Sequence, residues 1–145
     1  MNSSINSVQF LYPIAAMALL VAVVTVRMLM ERIGEMKARR IHPQKFASST
    51  QLSAALEHTR GADNYKNLFE MPVLFYVLCL VLFTLQSTST WLLAGAWLYV
   101  ALRYLHSYIH LGYNKVMHRF KVFGLSVVVL SALWLGLTVQ LLMRS

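Results

Sequence analysis

Acidic residues are scarce in this chain: five Asp and Glu stand against thirteen Lys and Arg in 145 residues. Charge of either sign is also scarce, at 12% of residues against 58% hydrophobic. A soluble domain carries about 25% charge, so an ordinary soluble domain is excluded and an integral membrane protein is expected. One cysteine, Cys79, excludes an internal disulfide framework, and no zinc-ligand spacing includes it. Set inside an apolar run, it reads as a small buried hydrophobe. No Ser-His-Asp arrangement, nucleotide-binding loop, internal repeat or low-complexity tract is present. The basic excess does not indicate nucleic acid, because the cations cluster between apolar runs, where aromatic neighbours suit interface anchoring.

Four apolar runs organise the chain, at residues 8–30, 68–85, 91–111 and 122–143. A helix needs about 20 apolar residues to cross ~30 Å of hydrocarbon. The expected fold is therefore an all-α, four-transmembrane-helix bundle in one domain spanning residues 1–145. The first run lacks a basic leader and a small-residue cleavage site, so it is expected to remain in the mature protein. Pro13 falls in its first turns, where proline costs least, and Arg27 and Arg32 near its other end can snorkel. Residues 31–66 read as a hydrophilic loop with helical portions, one of them at 51–59 behind a Ser/Thr cap. It is too short to bury a core of its own. The uncharged turn at 86–90 makes the second and third runs antiparallel neighbours, and a short basic connection at 112–121 joins the third to the fourth. The basic connections are expected in the cytoplasm and both termini on the opposite side, with Arg144 as a contrary signal.

Two polar faces interrupt this pattern. An ideal helix advances about 100° per residue, which puts Arg60, Asn64, Asn67 and Met71 on one stripe, flanked by Asp63 and Glu70. Pro72 removes a backbone donor and crowds the carbonyl of Leu68, predicting a kink near the bilayer surface. Ionisable groups at this depth usually face a bundle interior, a partner or a cavity; otherwise they form a hydrated collar at a helix end. On the third run, Arg103, His106 and His110 recur at i, i+3 and i+7, with Asn114 at i+11 and Arg119 in the next connection. The i, i+4 histidines could be metal ligands, but no third ligand is evident and no metal site is expected. Hydrogen bonding between helices and an anion site clamped by Arg103 and Arg119 are the remaining readings.

Arg60-x-x-x-Asn64 followed by Pro72, then Arg103-x-x-His106 with Arg119, resembles the MAPEG family, the membrane-associated proteins in eicosanoid and glutathione metabolism. The likeness extends over nearly the whole chain, from span order to connection lengths. It implies a left-handed four-helix subunit in a homotrimer, embedded in the lipid bilayer, with glutathione bound between subunits near the cytosolic side. Arg60, Asn64, Arg103, His106 and Arg119 match the family's motifs. Asn67 stands where glutathione-using members carry Glu, and Pro72 arrives one residue late. Glu70 is the substitute carboxylate, about 60° around the helix from Asn67. His110 takes the place of a ligand-binding tyrosine, and Phe120 and Phe123 replace residues that are Ser and Tyr in some members.

The resemblance implies thiol activation. A free thiol has a pKa of about 8.5, lowered by nearby positive charge, and Arg119 is the residue expected to stabilise the thiolate. Arg60 and Arg103 would hold the carboxylates of glutathione, Asn64 would orient it, and Glu70, His106 and His110 would complete the ligand-binding set. The expected function is a glutathione-dependent transferase or peroxidase-like activity on lipophilic electrophiles. The alternatives are a non-catalytic protein that binds a lipid or a partner, and a structural membrane protein.

Overall fold

The computed structural model describes residues 6–40 and 60–143, and the helix expected at 51–59 lies outside them. A 3₁₀ turn at Ser7–Phe10 leads into α1 (Leu11–Ala38); α2 (Arg60–Leu68), α3 (Met71–Thr84), α4 (Thr90–Leu111) and α5 (Val116–Leu142) follow. No strand occurs among the described residues. Among the described residues, three stretches are long and apolar enough to cross a membrane: Ser7–Ala38, Arg60–Thr84 and Val116–Leu142. The fourth expected run, now α4, does not join them, because Arg103, His106 and His110 lower its apolar character. It is nevertheless the most enclosed helix, with those three side chains and Ser107 all buried.

Two helices are longer than their apolar runs. At 28 residues, α1 extends about 42 Å at 1.5 Å per residue, well beyond the hydrocarbon. Its last turns were expected in the first connection; i, i+4 ion pairs prolong the helix there, Arg27 to Glu31 at 3.0 Å and Arg39 to Glu35 at 3.3 Å. Similarly, α5 begins at Val116 rather than near residue 122, so most of the third connection is helical. Asn114 ends the preceding helix in the left-handed region, φ 48°, a conformation Asn tolerates. Its amide donates to the Ile109 carbonyl at 2.8 Å, closing the α4 terminus.

Where a kink was expected at Pro72, the helix is interrupted. The Phe69 amide turns back to the Lys66 carbonyl at 3.0 Å, α2 stops at Leu68, and α3 restarts with Pro72 in its first turn. Proline is tolerated there because a first-turn amide has no partner within its own helix. The carbonyls at the end of α2 consequently lose their following donors, and Met71 leaves the stripe that carries Arg60, Asn64 and Asn67.

Many large apolar side chains point outward on α1, α3 and α5, including Leu19, Val23, Val77, Leu80, Val128 and Leu135. Lipid satisfies them as well as protein does, so helix association relies on close packing. Glycine supplies it between α4 and α5: Leu133 lies where a Cβ on Gly95 would stand, and the Trp91 ring fills the corresponding space at Gly136. Phe75 of α3 stacks on Tyr99 of α4 with centroids 4.5 Å apart. The Tyr104 hydroxyl donates to the Ala16 carbonyl at 2.7 Å, joining α4 to α1. At the start of α2, Glu31 accepts the Gly61 amide at 2.9 Å, one of the orphan donors of a helix N-terminus.

Gly61 is buried, and a Cβ there would stand 2.8 Å from Met28 Cα and 2.7 Å from Glu31 Oε2. Gly61→Ala should destabilise by about 1–3 kcal/mol through overpacking, lowering the thermal unfolding midpoint in detergent. Gly34→Ala, with nothing within 4 Å of the added carbon, should leave the midpoint unchanged or raise it. Equal midpoints for the parent and Gly61→Ala would refute the close α1–α2 contact.

Candidate functional site

The end of α2, the C-terminal half of α4 and the first turn of α5 converge beneath the helix break. Arg103 is the largest fully buried side chain, at 0% exposure. Its Nη2 donates to the Asn67 carbonyl at 3.0 Å, supplying a donor where the interrupted helix supplies none. The guanidinium also lies 5.7 Å from the centroid of Phe123. Its Nε and Nη1 have no hydrogen-bond partner among the described residues. A buried guanidinium with two nitrogens unmatched among the described residues is costly in isolation.

The histidines are oriented by Arg119. His106 Nδ1 lies 3.2 Å from the Arg119 carbonyl; a carbonyl only accepts, so Nδ1 carries the proton. In neutral His106 the lone pair therefore sits on Nε2, which is buried and has no partner among the described residues. His110 Nε2 is 3.1 Å from Arg119 Nη1, and a guanidinium only donates, so this nitrogen accepts. Arg119 Nη1 also donates to Asn114 Oδ1 at 3.0 Å. The two rings meet edge to face at 5.8 Å. One nitrogen of each histidine is thus held by Arg119, and no group of three His, Cys, Asp or Glu suited to a metal occurs among the described residues.

Asn64 is fully buried, and its Oδ1 accepts from Ser107 Oγ at 3.2 Å. Its Nδ2 has no partner among the described residues. Arg60 is exposed and donates to the Gly112 carbonyl at 3.2 Å, at the electronegative end of α4. Glu70 is exposed at the break, outside the buried cluster. Of the seven expected site residues, Arg103, His106, His110 and Arg119 form one connected group. Arg60 and Asn64 form a second group along the same α2–α4 seam, and Glu70, exposed at the rim, is near enough for its charge to act on Arg103.

Two openings border these groups. A cleft of about 190 Å³ is lined by Asn67, Val116, Arg119, Phe120 and Phe123. A larger groove of about 460 Å³ between α1 and α4 is walled mainly by apolar residues such as Leu20, Val24, Tyr104 and Leu111, and Ser107 lies in its wall. Two contributors were missed in the sequence. Ser107 was findable, since it lies four residues after Arg103 on the same helical face. The Asn67 carbonyl was not, because a freed backbone group leaves no local pattern.

No curated protein and no solved structure matches the chain. The model of the MAPEG family matches residues 10–139, a stretch that contains α1 to α4 entire, nearly all of α5, and both polar groups. The chain is a member of the MAPEG family, integral membrane proteins of eicosanoid and glutathione metabolism.

Proposed function

We propose that this protein binds glutathione at the α2–α4–α5 junction and directs its thiolate at a lipophilic electrophile or hydroperoxide arriving from the bilayer. The observation that carries the reading is Arg103, buried with two unmatched nitrogens. Such a group suits a carboxylate through charge-assisted hydrogen bonds. In this proposal Arg103 and Arg60 hold carboxylates, Asn64 Nδ2 binds a peptide carbonyl, and Arg119 stabilises the thiolate. His106 Nε2 is a lone pair positioned to take a proton or accept a hydrogen bond, and His110 orients Arg119. Glu70 sits at the rim, where it can meet a ligand only from outside. The apolar groove beside Ser107 suits the lipophilic reactant.

A second reading, a binding protein without catalysis, is favoured by the engagement of Arg119 Nη1 with both His110 and Asn114. Titration calorimetry and ultraviolet absorbance of bound thiolate against pH separate the two. Glutathione should bind the parent saturably. Because a hydrogen bond to a charged group is worth roughly 1.5–3 kcal/mol, Arg103→Ala should weaken affinity by about ten- to a hundredfold. Arg119→Ala should raise the pKa of the bound thiol by removing a neighbouring positive charge. Binding without any thiolate signal selects the binding protein. No saturable binding to folded protein removes glutathione from the proposal.

The proposed assembly is one domain of four membrane-crossing helices, α4 being the fourth, joined as a homotrimer whose subunit boundaries complete the site. Native mass spectrometry in mild detergents should give a trimer; a stable monomer or dimer throughout would defeat it. The proposed topology places the basic connections in the cytoplasm and the termini opposite, because the turn between α3 and α4 carries no charge. In a Cys79→Ala background on intact cells, Thr88→Cys should react with an impermeant thiol reagent and Lys115→Cys should be protected. The opposite pattern would invert the model.

A further inference from the structure

The bond between His110 and Arg119 permits only one state of the imidazole. Arg119 Nη1 donates to His110 Nε2 at 3.1 Å and to Asn114 Oδ1 at 3.0 Å. The bond needs the lone pair of Nε2, so a proton on that nitrogen breaks it and sets two cations side by side. His110 is buried, whereas Arg119 forms part of the cleft wall with Asn67 and Phe123. Charged groups reach His110 from the elements around it. Arg119 comes from α5, and Asp63 and Arg60 of α2 act on it with opposite signs. On α4 itself, His106 meets it edge to face at 5.8 Å, and Glu70 acts on Arg103, two turns away. Arg27 of α1 lines the separate α1–α4 groove, beside Tyr108 and Leu111.

We infer that His110 takes up a proton when an anion binds in the cleft against Arg119, so that anion and proton bind cooperatively. The inference rests on the glutathione reading and adds a regulation of that site. An anion beside Arg119 offsets the charge that keeps His110 neutral, and it competes for the same Nη1 donor. The imidazole, released from that bond, carries a proton on Nε2 beside the negative ligand. With a thiol ligand, ionisation breaks the S–H bond, the electron pair stays on sulfur, and His110 accounts for the proton, so none leaves the site. Linkage fixes the sign. The bound anion favours protonated His110, so the added affinity is present at low pH and is lost as pH rises through the His110 pKa of the complex.

The test uses S-methylglutathione, which has no thiol proton to release and whose carboxyls and amine titrate away from the ordinary histidine pKa of about 6.5. Calorimetric titrations of the full-length protein in detergent, run near that pH in two buffers of different ionisation enthalpy, read the protons exchanged. The parent should take up a fraction of a proton per ligand. Its affinity should tighten as pH falls, by at most about tenfold per pH unit, the limit for one linked proton. His110→Asn keeps an oxygen acceptor for Arg119 and cannot titrate; it should bind without uptake and with a flat pH profile. His118→Gln, exposed on α5, should take up protons as the parent does. Binding without uptake by the parent would overturn the inference and leave the glutathione site standing. Undiminished uptake in His110→Asn, or its loss in His118→Gln, would overturn the assignment to His110. No binding by the folded parent would remove both readings. The parent is measured first, so the inference is decided even where His110→Asn does not fold.

Discussion

The bond from Arg103 to the Asn67 carbonyl is the contact on which the junction depends. An interrupted helix inside a membrane protein leaves carbonyls without donors, and lipid offers none. Arg103 supplies one from the neighbouring helix, at 3.0 Å. Its burial carries a desolvation cost that the carbonyl and the Phe123 face offset only in part. The interruption and the buried cation therefore explain each other: without the break the carbonyl would be bonded within α2, and without the cation it would be orphaned.

Polar and apolar forces are divided between different parts of the fold. Glycine-mediated contact joins α4 to α5, and aromatic stacking joins α3 to α4, so packing holds these helices without any hydrophobic gain over lipid. The Tyr104 hydroxyl, donating to Ala16, and the Gly61 amide, donating to Glu31, attach α4 and α2 to α1. Arg103, Ser107 and the two histidines of the site lie on α4, a helix too polar to count among the apolar membrane-length stretches of the described residues, and that helix is sheltered by the others. Its polarity and its enclosure are two aspects of one arrangement: charged side chains at this depth must face protein or a water-filled cavity.

Hydropathy alone made the apolar runs legible, and the 100° periodicity made Arg103, His106 and His110 legible as one face. That face is buried, as periodicity implied. The ends of the helices were less legible. Ion pairs carried α1 past Met30 and helix geometry carried α5 back to Val116, because a short hydrophilic segment can remain helical on the strength of i, i+4 partners. Pro72 announced a disturbance, but whether it would kink or interrupt the helix depended on Arg103, thirty-odd residues away in sequence. Glu70 lay near the right stripe on an unbroken helix; the break at Phe69 and Glu70 sets it at the exposed rim, still near enough for its charge to act on Arg103.

The connection between α4 and α5 is so short that register becomes a mechanical property. From Gly112 to Lys115 there is no slack to absorb a change of length, and Arg119 enters α5 one turn later. One residue added between Val116 and Arg119 would turn the guanidinium by about 100°, away from both His110 and Asn114. The first turn of α5 thus acts as a gauge for the site: many side chains there can vary, but the number of residues cannot.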